Sequence, residues 1–219
     1  MKGIYVFVLM IVLFAFSQCN LNKARGQDKA QTQVEQKDPA VLEKSSKAYF
    51  ASGCFWCVEA VFESVKGVNE AVSGYAGGKE KNPTYEQVGG GRTGHTETVE
   101  VYYDSSVVSY ETLLEVYYGS HNPTTVNGQH PDFGRQYRSV IFYQNASEQK
   151  MAEDFKKRLN ASGEYEEAIA TEIVPFEKFW KAEAYHQDFE KRNPNQSYVK
   201  AVSIPRLKRF QKKFPQLLK

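Results

Sequence analysis

Two cysteines stand three residues apart in the run Ser52-Gly53-Cys54-Phe55-Trp56-Cys57-Val58-Glu59. Thiols at that spacing suit redox or nucleophilic chemistry, and in one helical turn they approach closely enough for a disulfide. A short apolar run, Ala48-Tyr49-Phe50-Ala51, precedes the pair, and Val58, Val61, Phe62 and Val65 follow at helical spacing up to Gly67. Cys54 therefore falls where a strand hands over to a helix. Unpaired N–H groups and the positive end of the helix dipole there favour thiolate over thiol. The alternative is a pair of buried cysteines packing as small hydrophobes. Haem attachment would need a histidine where Val58 stands. His95, His121, His130 and His186 lack paired ligand spacing, so neither a metal nor a cofactor is expected. Two enzymatic readings remain at this point, a thiol–disulfide exchanger and a reductase of an oxidised sulfur compound.

An acid is the second ingredient. Thr96 to Tyr103 alternates, with Glu97, Val99, Val101 and Tyr103 on one strand face. Glu97 then lies at the end of the apolar face. It is either a solvated end-of-strand charge or a half-desolvated carboxyl able to donate a proton near neutral pH. Periodicity alone leaves both open.

These residues need a frame. The pattern predicts strands at 49–52, 68–75, 96–103 and 136–143, with helices at 55–66 and from Ser109 to Gly119. Residues 79–95, with Gly89-Gly90-Gly91, read as a mobile or close-packed loop, since no Gly-Lys-Ser/Thr follows to make a phosphate cradle. Ser147 is expected to cap a further helix, Thr171 to Val174 to form a short strand, and Ile204-Pro205 to open a last helix ending in Lys219. From Arg206 onward that helix carries six positive charges and no acid, which suits a solvated face or a membrane surface. The order strand, helix, strand, strand, helix, strand predicts an α+β fold, a ferredoxin-like two-layer α/β sandwich with a β-α-β-β-α-β core and a C-terminal helical extension. The 219 residues are 41% apolar and 14% aromatic, with fourteen Tyr and fourteen Phe, enough for one aromatic-rich core. A net charge of +2 gives no global reason to expect nucleic acid.

The run Gly53-Cys54-Phe55-Trp56-Cys57-Val58-Glu59 closely resembles the active-site signature of the A-type peptide methionine sulfoxide reductases. Further matching blocks follow in order: Ser73 to Gly78, Asn82-Pro83-Thr84-Tyr85, Thr93 to Glu97, His121 to Thr124 and Pro131 to Ser139. The similarity spans about residues 47–193. By resemblance, Cys54 is the nucleophile that attacks the sulfoxide sulfur of the S epimer, and Glu97 protonates its oxygen. Tyr85 and Tyr137 hydrogen-bond that oxygen, Phe55 and Trp56 wall the S-methyl pocket, and Asp132 helps orient the substrate. The plainer readings are core aromatics, core tyrosines and a loop cap. Many members have Gly where this chain has Cys57 and carry resolving cysteines near the C-terminus, where this chain has none. Cys57 is therefore expected to attack the Cys54 sulfenic acid and form a Cys54–Cys57 disulfide, recycled by thioredoxin or a thioredoxin-like reductant. The expected activity is repair of methionine sulfoxide, free or in proteins, by a monomer. His186 falls in a recognisable family segment and reads as packing rather than proton transfer.

Residues 1–19 have the layout of an export signal: Lys2, then an apolar run from Ile4 to Phe16, then Ser17-Gln18-Cys19. The run is short for a membrane span. A lone cysteine directly after it resembles a bacterial lipoprotein signal, in which Cys19 becomes the lipidated first residue; simple cleavage or an uncleaved anchor is the alternative. Residues 20–46 are polar and read as a flexible tether, with residues 47–219 as the catalytic domain and its basic C-terminal extension. The expected location is the cell envelope or periplasm, on a lipid anchor. Mass spectrometry of the membrane fraction should then find a diacylglyceryl cysteine beginning at Cys19, and an N-terminus starting at Met1 on soluble protein would refute the signal.

Overall fold

The computed structural model describes residues 38–219; residues 1–37, with the export signal, Cys19 and most of the expected tether, lie outside them. Residues near the end of the stretch expected to be a tether are helical. Asp38 accepts from the Ala40 N–H and caps a short helix, α1 (Pro39–Lys44), and β1 (Ser46–Ala51) starts directly after it. There follow α2 (Phe55–Glu63), β2 (Val68–Ala76), α3 (Tyr85–Gly89), β3 (Thr96–Tyr103) and α4 (Tyr110–Gly119). Next come a small hairpin of β4 (Gly128–Gln129) and β5 (Asp132–Phe133), then β6 (Val140–Tyr143) and α5 (Ala146–Ala161). The chain closes with β7 (Glu172–Pro175), β8 (Phe179–Lys181), α6 (Phe189–Arg192), a π-helical turn at Val199–Ser203 and α7 (Ile204–Lys213).

The main sheet runs β7-β6-β1-β3-β2-β8. Its middle four strands, all antiparallel neighbours, give the expected ferredoxin-like order. Two edge strands extend it, β7 parallel to β6 and β8 antiparallel to β2. Alternation assigns the faces. Ala48, Phe50, Val99 and Val101 point into a core closed by α2 and α4, where the Phe50 ring stacks on Phe62 at 5.0 Å and on Tyr117 at 5.3 Å. On the other face Tyr49 stacks on Phe176 at 3.8 Å. There Glu100, opposite Tyr49, accepts from the hydroxyls of Tyr49 (2.8 Å) and Tyr102 (2.7 Å) and from Lys47 (3.1 Å).

Local chemistry moves several boundaries. The Gly-rich stretch after β2 is not all loop, because Thr84 and Gln87 form a capping box that starts α3. The strand expected from Gln136 is shorter. Residues 135–137 make a 3₁₀ turn, with Gln136 donating to the Gly89 carbonyl at 2.9 Å and the Tyr137 carbonyl accepting from the Gly53 N–H at 3.1 Å. Asn145, rather than Ser147, caps α5, accepting from the Glu148 N–H at 3.0 Å. α7 stops at Lys213 instead of Lys219, since Pro215 opens a separate 3₁₀ turn. Residues 217–219 return to α2: the Lys66 N–H donates to the Leu217 carbonyl at 2.8 Å, and the Lys219 N–H to the Ser64 carbonyl at 3.0 Å.

Gly74 is where β8 closes on β2. A Cβ there would overlap the Phe179 ring and the Trp180 carbonyl oxygen. Gly74→Ala should therefore destabilise the fold by about 1–3 kcal/mol through overpacking, read as a lowered urea midpoint with faster amide exchange in residues 179–181.

Candidate active site

The site forms where the C-terminal end of β1, the start of α2 and the first residues of β3 meet. Gly53, at φ +83°, turns the chain so tightly against Gln129 that a Cβ would lie 2.8 Å from that residue's Cβ. Cys54 is the N-cap of α2 and lends no side-chain hydrogen bond to the helix. That role passes to Glu97, whose Oε2 accepts from the Phe55 N–H at 3.0 Å. Register supplies the acid: Tyr75 and Glu97 are paired across β2 and β3, and Glu97 is 1% exposed.

Around this pair lies an aromatic enclosure. Phe55 faces Tyr85 at 6.2 Å and His186 at 4.9 Å between ring centres. Trp56 stacks on Phe189 at 3.7 Å and donates its indole N–H to His186 Nδ1 at 3.1 Å. That bond puts the imidazole proton on Nε2, and burial pushes the His186 pKa down to about 4, so the ring is neutral packing. Glu183 braces the wall, accepting from the Tyr75 hydroxyl at 2.8 Å and from the Tyr85 N–H at 2.9 Å.

Burial sets the protonation states. Glu97 is pushed up to about 8, chiefly by desolvation and further by Asp132, against the opposing Phe55 hydrogen bond. It is a protonated acid near neutral pH. Tyr85 is raised to about 12 and Tyr137 further still, each by burial and then by Glu97, so both phenols stay neutral donors. The thiols do not follow the expectation that Cys54 carries the anion. Burial, then Cys57, raises Cys54 well above the ordinary thiol range. Cys57 is lowered to about 6 by the hydrogen bond from Cys54, then by Arg206, Ser203 and Tyr198. The reason is local: Cys54 is buried with no cation beside it among the described residues, whereas Arg206 and Ser203 stand by Cys57. Cys54 and Cys57 are both free and hydrogen-bonded to each other, so a proton exchanged across that bond moves the single negative charge onto either sulfur.

The structure thus brings together Cys54, Cys57, Glu97, Tyr85, Tyr137, Phe55 and Trp56. Asp132 is linked to them indirectly, its carboxylate accepting from the Tyr198 hydroxyl. Beyond Cys57 opens a cavity of about 600 Å³ lined by Cys57, Gln129, Asp132, Tyr198 and Arg206 among others. Sequence reasoning missed Tyr198, Ser203 and Arg206. Ser203 Oγ is 3.0 Å from the Cys57 sulfur. Arg206, read as part of a solvated or membrane-facing basic face, is 7% exposed. A signal was present, for Arg206 shares the helical spacing of Phe210 and Phe214, both buried. Among the described residues one group of carboxyls, Glu59, Glu63 and Asp188, converges with metal-like spacing. Lys191 already pairs with Glu63 and Asp188 there, while Ser73 donates to Glu59.

Comparison with known proteins gives consistent matches. The family model described as peptide methionine sulfoxide reductase matches residues 46–218. The chain is 48% identical over 172 residues to peptide methionine sulfoxide reductase MsrA 1 of Rhodopirellula baltica, covering 78% of this chain and 88% of that protein. Its fold resembles the reduced form of Mxr1 from Saccharomyces cerevisiae, with a TM-score of 0.66 at 31% identity over 75% of this chain and 92% of that one. It also resembles methionine sulfoxide reductase A of Corynebacterium diphtheriae, with a TM-score of 0.62 at 34% identity over 69% and 76% of the two chains.

The raised Glu97 pKa carries a stability consequence. Folded Glu97 holds its proton up to about 8, whereas an unfolded glutamate releases it near roughly 4.3. Between those values the folded state binds more protons, so Glu97 costs increasing stability as pH rises through the window and a constant amount above it. Glu97→Gln keeps an acceptor for the Phe55 N–H and does not titrate. Its denaturant midpoint should rise relative to the parent protein between about pH 5 and pH 8; a difference independent of pH would contradict the assignment.

Proposed function

The chain belongs to the peptide methionine sulfoxide reductase family and is an oxidoreductase that reduces methionine sulfoxide; from that premise we propose that it acts on the S epimer, with Cys54 as nucleophile, Glu97 as acid and Cys57 as resolving thiol. The observation that carries this reading is the buried Glu97 carboxyl, protonated near neutral pH and bonded to the helix turn that bears Cys54. A thiol–disulfide exchanger needs no acid for an oxygen leaving group, because its leaving group is a sulfur.

In the proposed reaction a proton passes from Cys54 to Cys57 and the Cys54 sulfur attacks the sulfoxide sulfur. Glu97 protonates the sulfoxide oxygen while the neutral Tyr85 and Tyr137 hydroxyls donate hydrogen bonds to it. The S–S bond of the adduct so formed and the S–O bond of the substrate break as a new S–O bond forms to Cys54. Methionine leaves and Cys54 keeps the oxygen as a sulfenic acid, so one thiol and one sulfoxide become one sulfenic acid and one thioether. Phe55 and Trp56 offer apolar surface to the S-methyl group, and Asp132, through Tyr198, lies at the rim of the enclosure. Cys57 then displaces the oxygen as water and forms the Cys54–Cys57 disulfide. The hydrogen bond already shared by the two sulfurs supports this short transfer. A thioredoxin-like dithiol would restore the pair by exchange. The Lys2-to-Cys19 sequence supports a lipoprotein anchor and hence work outside the cytoplasm, with a reductant facing the same compartment.

The test supplies residues 38–219 with dithiothreitol and the separated R and S epimers of methionine sulfoxide. The S epimer should be consumed and the R epimer left; reduction of R alone, or of neither, would overturn the reading. Glu97→Gln should lower turnover by about 10²–10⁴. Cys57→Ser should release one methionine per enzyme and then stall with thioredoxin as reductant.

A further inference from the structure

The C-terminal segment contains no cysteine, yet it closes over Cys57 with three polar side chains. Ser203 Oγ lies 3.0 Å and the Tyr198 hydroxyl 3.9 Å from the Cys57 sulfur. Arg206 is buried beside them, and its hydrogen bonds run to neutral acceptors. Its Nε donates to the Ser120 carbonyl at 2.8 Å, Nη1 to the Ser52 carbonyl at 2.9 Å and Nη2 to Ser52 Oγ at 3.1 Å. No ion pair of Arg206 with a carboxylate occurs among the described residues; the anions its field reaches are Asp132 and the Cys57 thiolate. His121, also in its field, is held neutral by burial and by Arg206 itself, with a pKa lowered to about 3. A guanidinium desolvated without a carboxylate is costly in a fold unless its charge serves another group. The guanidinium is also locked to the Ser52 carbonyl, two residues before Cys54, so it is fixed to the same turn as the redox pair.

We propose that Ser203 and Arg206 are positioning residues for the resolving step, holding the Cys57 sulfur as an anion aimed at Cys54. The inference rests on the reading of Cys57 as the resolving thiol. In that step the Cys57 thiolate attacks the Cys54 sulfur, the S–S bond forms and the S–O bond breaks. The proton that Cys57 gained from Cys54 returns to Glu97, left as a carboxylate by the first step, which frees the thiolate. The two electrons of the broken bond leave with the hydroxide, which takes up that proton from Glu97 and departs as water. Cys57 is oxidised as the Cys54 sulfenic acid is reduced, and no further reactant enters. The field of Arg206 and the Ser203 hydroxyl both favour the charge on Cys57 before attack. The charged or titratable groups facing Cys57 are Cys54 at the start of its own helix, Glu97 on β3, Glu190 on α6, Tyr198 just before the π turn and Arg206 on α7. Of these Arg206 alone is permanently cationic.

The experiment is a single-turnover reaction of the reduced protein with methionine S-sulfoxide. Samples are quenched with an alkylating agent, and the Cys54–Cys57 disulfide is followed by mass spectrometry across pH. Ser203→Ala and Arg206→Gln should still give a full equivalent of methionine. Disulfide formation should slow about tenfold or more near neutral pH, the factor carried by one unit of lost thiolate ionisation. Its rising limb should move to higher pH, so that alkaline conditions rescue the rate, and Arg206→Lys should retain most of it. Parent-like rates and limbs in Ser203→Ala and Arg206→Gln would overturn the proposal. So would an equal slowing at every pH with Arg206→Lys no better than Arg206→Gln, since that marks mere packing. Should Arg206→Gln fail to fold, Ser203→Ala and Arg206→Lys decide by the same limb. Failure of the underlying reading looks different: the parent protein itself would accumulate sulfenic acid and form no Cys54–Cys57 disulfide.

Discussion

The hydrogen bond from the Phe55 N–H to Glu97 is the contact on which the rest of the site depends. It joins a helix start to a strand 42 residues later, in a place almost closed to water. A carboxyl buried there would normally be expelled or ionised against a cation. Here a single backbone N–H steadies one oxygen, burial keeps the other protonated, and Asp132 adds to the pressure against ionisation. The same bond ties that acid to the turn that carries Cys54. One interaction therefore joins the acid to the helix that bears both thiols, while burial sets its protonation.

Much of this was legible without coordinates. The alternation through Thr96–Tyr103 placed Glu97 on the core face with Val99 and Val101, and the order of elements implied the four-strand centre of the sheet. The spacing of Cys54 and Cys57 promised two sulfurs within reach of each other. The edge strands were less visible, since β8 is three residues long and depends on a partner more than a hundred residues earlier. α3 was hidden by the glycines that end it, although its capping box was written in Thr84 and Gln87. The thiol charge could not be read at all, because it turns on burial and on Arg206 and Ser203, which the fold brings to Cys57 from the distant C-terminal segment.

Arg206 shows the limit most sharply. Six cations without an acid read as a solvated face, and for Lys208, Arg209 and Lys212, all exposed or half-exposed, that reading describes the structure. The exception is the one cation at the spacing of Phe210. A helix that turns a charged side chain inward with its apolar residues must find acceptors for it. Those acceptors are the carbonyl and hydroxyl of Ser52 and the carbonyl of Ser120, main-chain features without a sequence signature.

The return of residues 217–219 to the far end of α2 has a mechanical meaning. The helix is held at its first residue by Glu97 and just past its last by Leu217 and Lys219. So pinned, it resists sliding along its axis and unwinding from either end. Chemistry at its first turn is then met more readily by side-chain torsions than by travel of the backbone.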